Sequence, residues 1–589
     1  MFQKFIQHII NLQQKYLSPT QYVNILSIFV GLGVGLSAVI IKNLVFLIQK
    51  LLKYNQTESI LHYFYFAYPL IGILLVLLFS KYILRKKLDH GIPSVLYSIA
   101  EENANIKKHN TFSSIITSAI TVGFGGSVGL EGPSVATGAA IGSNIGKLFG
   151  LSYRQKIQLI GAASASVIAA IFQAPIAGII FAIEVIMIDM TVASLIPLLI
   201  SSISAVLTSY LLLGSEVLYH VDISSSFEVK NTWIYILLGI TTGLFSVYFN
   251  KVYLGIQQHF HGIKNDYLKL FYGGTLLGIL IFFFPALYGE GYEVTNEALA
   301  GNIAFVTNSS ILSHISLPFI TLIVLGLIIL LKVFASAFTF GAGGIGGIFA
   351  PSLFIGANLG LFFALCLKYF FGIDIGITKF TLTAMAGTLS GILHAPLMAI
   401  FLIAEITGGY KLFVPLMLVS TISYLTSKFF VKHSVYVSQL VQKGQILTHD
   451  KDANVLKLLN INRLIETDFK TISPDACLGD LVNCIKESSR NVFPVVKSDG
   501  DFIGVIILDD VRNIIFDHDK YKKVKLKDYI FKPGLMISSD ASMEEVARRL
   551  QKSDVYNIPV VNDGKYIGFI SRANVFAEYR KILKEVSYE

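Results

Sequence analysis

One carboxylate stands out by its surroundings. Glu131 lies in GFGGSVGLEGPSVATGAAIG (Gly123–Gly142), a glycine-rich turn that runs into a helix of small residues inside an apolar region. An isolated ionisable group at membrane depth is costly, so it is paired, lines a wet cavity, or belongs to an ion or proton path. A second copy of the stretch, GAGGIGGIFAPSLFIGANLG (Gly341–Gly360), follows at an offset of 218 residues (351 − 133). That offset sets Pro133 on Pro351, Gly129 on Gly347 and Gly142 on Gly360, with Glu131 on Phe349. A third break reads His90-Gly91-Ile92-Pro93. Each places glycine where backbone must come close and proline in the first helical turn. A helix that starts inside a membrane presents unpaired N–H groups and a positive dipole end, an anion site without a full charge. The candidate helix starts are therefore Gly129, Gly132 and Pro133 in one copy and Gly347 and Pro351 in the other. None of the three breaks holds Lys or Arg, so a bound anion can also leave.

The elements that position these breaks follow from composition. The chain has 589 residues, 53% hydrophobic and 14% charged, with mean hydropathy +0.64, which makes it a polytopic membrane protein. Its net charge of +9 is spread over membrane flanks and a polar C-terminal region. The positive-inside rule explains that spread, and no nucleic-acid partner is expected. Three cysteines, Cys366, Cys477 and Cys484, show neither a disulfide framework nor metal-ligand spacing. The glycines at 123–129 miss the dinucleotide fingerprint, and no zinc-protease histidine pair or hydrolase elbow stands out in the membrane part. No enzymatic activity and no metal or other required cofactor is expected.

The first residues, MFQKFIQHIINLQQKYL, read as an interfacial amphipathic helix rather than a cleaved signal. Two spans follow, near 22–50 and 64–84, and KYILRKK (Lys81–Lys87) marks a cytoplasmic loop, which leaves the N-terminus cytoplasmic. From about 89 to 212 the apolar runs are short and broken by Gly and Pro; such breaks are tolerated at membrane depth where protein or a wet cavity satisfies the backbone. Long spans near 232–254 and 268–288 open a second half that repeats the broken pattern. FQAPIAGIIFAIE (Phe172–Glu184) and LHAPLMAIFLIAE (Leu393–Glu405) match within it, each with Glu nine residues after its proline (184 − 175 and 405 − 396). Repeats of about 89–212 and 313–435 are expected, in inverted topology around a midplane site. A linker helix and lead-in at 436–459 precede a polar module that is itself duplicated. NVFPVVKSDGDFIGVIILDDV (Asn491–Val511) matches YNIPVVNDGKYIGFISRANV (Tyr556–Val575), and each copy reads strand, hairpin turn, strand, helix.

In their order, these motifs resemble the ClC family of chloride channels and proton/chloride antiporters over nearly the whole chain. GLEGP resembles the family's G-[K/R]-E-G-P, GIFAPS its G-x-F-x-P, and GIP at 91–93 its G-x-G-I-P; VYVSQL sets Tyr436 on the family's central tyrosine. The resemblance implies an all-α membrane domain (1–435) with broken helices, one pore per subunit of a homodimer, and chloride as the transported ion. It assigns chloride to His90, Gly91, the amides of Ile348 and Phe349, and the Tyr436 hydroxyl, and it makes Glu131 the gate whose carboxylate competes with the anion. Leu130 stands where the family has a basic residue, His90 where a serine often reads chloride, and Ser94 where an acid is common. Val185 occupies the inner position at which many proton-coupled members carry a second glutamate. These residue types lean slightly towards a channel, with the antiporter as the alternative. Carriage of another anion such as nitrate, a cation-coupled carrier, and a membrane-anchored nucleotide sensor are the rivals.

The C-terminal duplicate resembles a cytoplasmic α/β pair of CBS modules, placed at 460–522 and 523–589. Such modules often bind adenine nucleotides (ATP, ADP or AMP) through Gly-x-x-[Ser/Thr]-x-x-[Asp/Asn]. Gly568-Phe-Ile-Ser571-Arg-Ala-Asn574 keeps that segment, whereas Gly504-Val-Ile-Ile507-Leu-Asp-Asp510 lacks the hydroxyl. The candidate nucleotide residues are Asp510, Ser571 and Asn574. A bacterial inner (plasma) membrane is the expected location, with both termini cytoplasmic.

Overall fold

A computed structural model describes residues 16–54, 65–86, 88, 91–187, 191–214, 227–303, 318–442, 459, 461–553 and 555–587. The chain divides into two compact units, Met1–Leu447 and Thr448–Glu589.

The first unit is helical. Its elements are α1 (Pro19–Tyr54), α2 (Tyr68–Leu78), α3 (Gly91–Glu101), α4 (Asn110–Gly123), α5 (Glu131–Leu148), α6 (Tyr153–Phe172), α7 (Pro175–Glu184) and α8 (Val192–Leu213). Then come α9 (Thr232–Gly262), α10 (Asp266–Phe283), α11 (Tyr292–Leu299), α12 (Pro318–Gly341), α13 (Phe349–Phe371), α14 (Ile377–Leu393), α15 (Pro396–Ile406), α16 (Phe413–Phe430) and α17 (Val435–Gln442). Among the described residues nine helices are long and apolar enough to cross a membrane. Others are not: α7 has 10 residues and α15 has 11, and at about 1.5 Å per residue neither crosses about 30 Å of hydrocarbon.

Helix contacts repeat across the two halves. α1 packs on α8 as α9 packs on α16, α6 on α8 as α14 on α16, and α5 on α6 as α13 on α14. α3 packs on α5 as α11 packs on α13. The repeat thus reaches further towards the N-terminus than the broken stretch at 89–212, because the unbroken helices α1 and α9 are themselves counterparts. Glycine sets the spacing of one pair: a Cβ at Gly142 would lie 2.6 Å from the Leu159 carbonyl oxygen, and one at Gly360 2.6 Å from Thr381 Cα. Close backbone approach of this kind is how helices associate without a water-driven force.

α7 and α15 begin alike, each with Ala-Pro after a residue in the left-handed region, Gln173 (φ 55°) and His394 (φ 57°). Their ends clasp reciprocally. The Glu184 carboxylate accepts from the amides of Leu397 (3.1 Å) and Met398 (2.8 Å) at the start of α15. Glu405 accepts from Ile176 (3.0 Å) and Ala177 (2.8 Å) at the start of α7. Each acid satisfies two helix N–H groups that have no intrahelical acceptor. The contact also makes the two equivalent helices antiparallel, so the two-fold axis relating the halves runs across them, which is the inverted-repeat arrangement.

In the second unit two antiparallel hairpins carry the duplicated motif. β1 (Val492–Val496) pairs with β2 (Phe502–Ile507), and β3 (Asn557–Asn562) pairs with β4 (Lys565–Ser571), each with one register irregularity. The copies exchange edges: Glu466, before the first copy, bridges Phe569 on β4, and Phe531, before the second, bridges Val505 on β2. A cut at 522/523 would therefore leave each copy holding a segment that pairs with the other.

Candidate functional site

The two glycine-rich copies meet. The Gly129 amide donates to the Gly347 carbonyl at 2.8 Å, and the Gly347 amide donates to the Gly129 carbonyl at 2.7 Å, a single antiparallel bridge between the halves. A Cβ at Gly347 would lie 2.7 Å from the Gly132 nitrogen, so the seam requires glycine there. Directly after it α5 starts at Glu131 and α13 at Phe349, with Pro133 and Pro351 both in the first turn. The N–H groups of Phe349 and Ala350 have no intrahelical acceptor. They point the dipole of a 23-residue helix at the seam.

A cavity of about 1240 Å³ reaches this seam, lined by Gly91, Gly132, Gly347, Ile348 and Tyr436. Gly91 opens α3 at φ +51°, a conformation that favours glycine. Tyr436 lies on α17, which packs on α3; its hydroxyl is buried and bonds to no described protein group. Lys81, Arg85, Lys86, Lys264 and Lys269 also line the cavity, against Asp266 as the one lining acid among the described residues. A low-dielectric funnel with such walls concentrates anions. His90 lies outside the described residues.

Glu131 closes the other side of the seam and is fully buried. Its Oε1 accepts the Tyr292 hydroxyl at 2.7 Å. Its Oε2 is folded back over Gly129, where a Cβ would lie 2.1 Å from it. The amides of Glu131 and Ala350 lie near the carboxylate, but Oε2 makes no bond with full hydrogen-bond geometry. The carboxylate thus sits beside the start of α13, where an anion would compete with it. Val185, the inner position, is buried at the end of α7, and its amide donates to the Phe181 carbonyl. Glu184 beside it is committed to the clasp.

Three polar residues around Glu131 carry no motif. Glu290 accepts the Leu130 amide at 3.2 Å. Lys332, fully buried in α12, donates to the Gly289 carbonyl at 3.0 Å and sits 4.6 Å from the Phe354 ring centroid. Tyr292 begins α11. Lys332 was findable as a lone charge in an apolar span, whereas Glu290 sits in a loop and Tyr292 opens a short helix of 8 residues, with too little periodicity to place either.

In the second unit Ser571 and Asn574 come together, but as a helix cap. The Ser571 hydroxyl accepts the Asn574 amide at 3.1 Å and donates to Glu466. Arg490 bridges Glu466 (2.8 Å) and Asp468 (2.7 Å) and lies 4.7 Å from the Phe469 ring centroid. The guanidinium holds the Asp468 carboxyl below the usual carboxylate range. The equivalent pair in the other copy is apolar, Ile507 with Phe531. Asp510 is exposed in the short helix after β2.

Residues 71–428 match the family described as voltage gated chloride channel, and residues 526–581 match the CBS domain. The chain belongs to the voltage-gated chloride channel family. It is 31% identical over 325 residues to the voltage-gated ClC-type chloride channel ClcB of Escherichia coli, covering 54% of this chain and 73% of that one. Its fold is similar to that of a slow cyanobacterial Cl−/H+ antiporter, with TM-score 0.61 and 20% identity over 72% of this chain and 98% of the other. It is also similar to a eukaryotic CLC transporter, with TM-score 0.60 and 19% identity over 96% and 98%.

Proposed function

We propose that the protein conducts chloride passively, or with loose proton coupling, through a path gated by Glu131. The observation that carries this reading is the placement of the Glu131 carboxylate beside the open N-terminus of α13. The basic cavity, with Ile348, Phe349 and the unengaged Tyr436 hydroxyl, reaches the same seam from the other side. The ion would be held by main-chain N–H groups and one phenol, strongly enough to bind and weakly enough to leave. Leu130 supplies no cation at the gate, and the five basic residues of the cavity offset that loss. Passive flow is favoured over strict exchange because a proton crossing with the anion needs a titratable relay on each face. Val185 offers none, and among the described residues Asp266 is the one carboxylate lining the cavity.

The test is flux in liposomes under opposed gradients. An outward chloride gradient should dissipate without accumulating protons against their own gradient. Stoichiometric uphill proton uptake would make the protein an antiporter like the one named for its cyanobacterial neighbour.

For the second unit we propose weak adenine-nucleotide binding on the Ser571/Asn574 side, limited by Glu466. Its carboxylate occupies the Ser571 hydroxyl and the Arg490 guanidinium, the two donors a phosphate would use, and adds a charge of the wrong sign. Calorimetry on the detergent-solubilised chain should find ATP bound roughly tenfold more tightly by Glu466→Ala than by wild type, the scale of one charge-assisted bond. Equal or weaker binding by the variant would remove Glu466 from this role.

A further inference from the structure

We propose that Tyr292 is the positioning residue of the gate: its phenol holds the Glu131 carboxylate seated in the path. This rests on the reading of Glu131 as the gate. The hydroxyl donates to Oε1 at 2.7 Å, a bond to a charged acceptor and so among the stronger kinds. A carboxylate that swings away loses it.

The phenol is delivered by a loop tied down on several sides. The Ser127 hydroxyl donates to the Leu287 carbonyl at 2.7 Å, the Gly289 amide donates to the Gly125 carbonyl at 3.2 Å, and Lys332 donates to the Gly289 carbonyl at 3.0 Å. Gly289 (φ 61°) and Gly291 (φ 85°) adopt left-handed turns. A Cβ at Gly291 would also lie 2.4 Å from the Phe354 ring. This loop ends where α11 begins, and α11 is the counterpart of α3 in the repeat. One face of the seam therefore receives the backbone of Gly91, and the other receives the side chain of Tyr292.

The other charged groups near the gate do not substitute for the phenol. Glu290 is engaged with the Leu130 amide, Lys332 with the loop carbonyls, and Lys42 of α1 with the Ile171 carbonyl at 2.7 Å.

A double-mutant cycle on the reconstituted full chain tests the assignment. At neutral pH, Tyr292→Phe should raise chloride efflux roughly tenfold, since removing one bond to a charged acceptor shifts the ratio of released to seated carboxylate by about that factor. In a Glu131→Ala background, with no carboxylate to hold, the same substitution should change efflux by less than about twofold. An equal change in both backgrounds means that the ring acts through pore shape, and no change in either means that it does not act on the gate; both outcomes overturn the proposal. If Glu131→Ala by itself leaves efflux at the wild-type level, the gate reading fails first. A merely structural tyrosine would not distinguish the two backgrounds.

Discussion

Glu131→Gln protein in liposomes is expected to carry chloride at least about tenfold faster than wild type at neutral pH, the effect of removing one charge from a helix N-terminus and its bonds. Its flux should lose most of its dependence on pH. On the proposed reading the carboxylate competes with the anion because both are negative and both would be drawn to the same helix N-terminus, that of α13. An amide of the same shape has no charge to set against chloride and no proton to gain or lose between pH 4 and 9. Both results follow from one substitution and can be read in one efflux assay with an external pH series. A mutant that keeps the wild-type pH curve would remove Glu131 from the gate. If the wild type does move protons uphill, the same substitution should abolish that movement, which separates the gate's part in coupling from its part in blocking.

The largest expected loss of stability comes from Glu405→Ala. The wild-type carboxylate accepts from two amides of α7, and truncation leaves both without an acceptor in a region where lipid offers none. The Ala177 donor is part-buried and the Ile176 donor exposed; a fully buried orphan costs about 1–3 kcal/mol, so the variant should lose about 1–3 kcal/mol. A fall in melting temperature on the order of 5 °C or more is expected in detergent. Glu405→Gln, which keeps one accepting oxygen, should fall between the two. The folded fraction of Glu405→Ala should conduct as wild type does. A variant with unchanged melting temperature and impaired flux would show that the acid acts on transport and not on the fold.

What could be read in the sequence is tied to what repeats or breaks. The offset of Pro133 from Pro351 named the two helix starts that meet at the seam, and the Ala-Pro segments named both glutamates of the clasp. It did not say what those glutamates touch, because a repeat tells which residues are equivalent and not which are neighbours. The partners of Glu184 and Glu405 lie 213 to 229 residues away. Tyr292 is 161 residues from Glu131, at the start of α11 after a loop whose path is fixed by backbone turns and by a lysine on another helix. In the second unit the hairpins were legible from their alternation and turn residues. The exchange of edges through Glu466 and Phe531 was not, since those residues precede the repeated motif. The same exchange explains why Ser571, which carries the expected nucleotide pattern, is already bonded to a carboxylate of its own chain.

The seam at Gly129 and Gly347 has a consequence for how the protein can change over generations. Its bonds run from main chain to main chain, and the groups that the proposed path offers an anion there are amides, which every residue except proline possesses. Mutation can rewrite the side chains of most surrounding positions and leave those amides in place, provided the glycines stay. If Glu131 gates the path as proposed, gating and selectivity are open to separate revision: the proposed gate is a side chain, reachable by a single codon at 131 or 292, whereas the proposed anion ligands at the seam are mostly main-chain groups, where point mutation has little purchase.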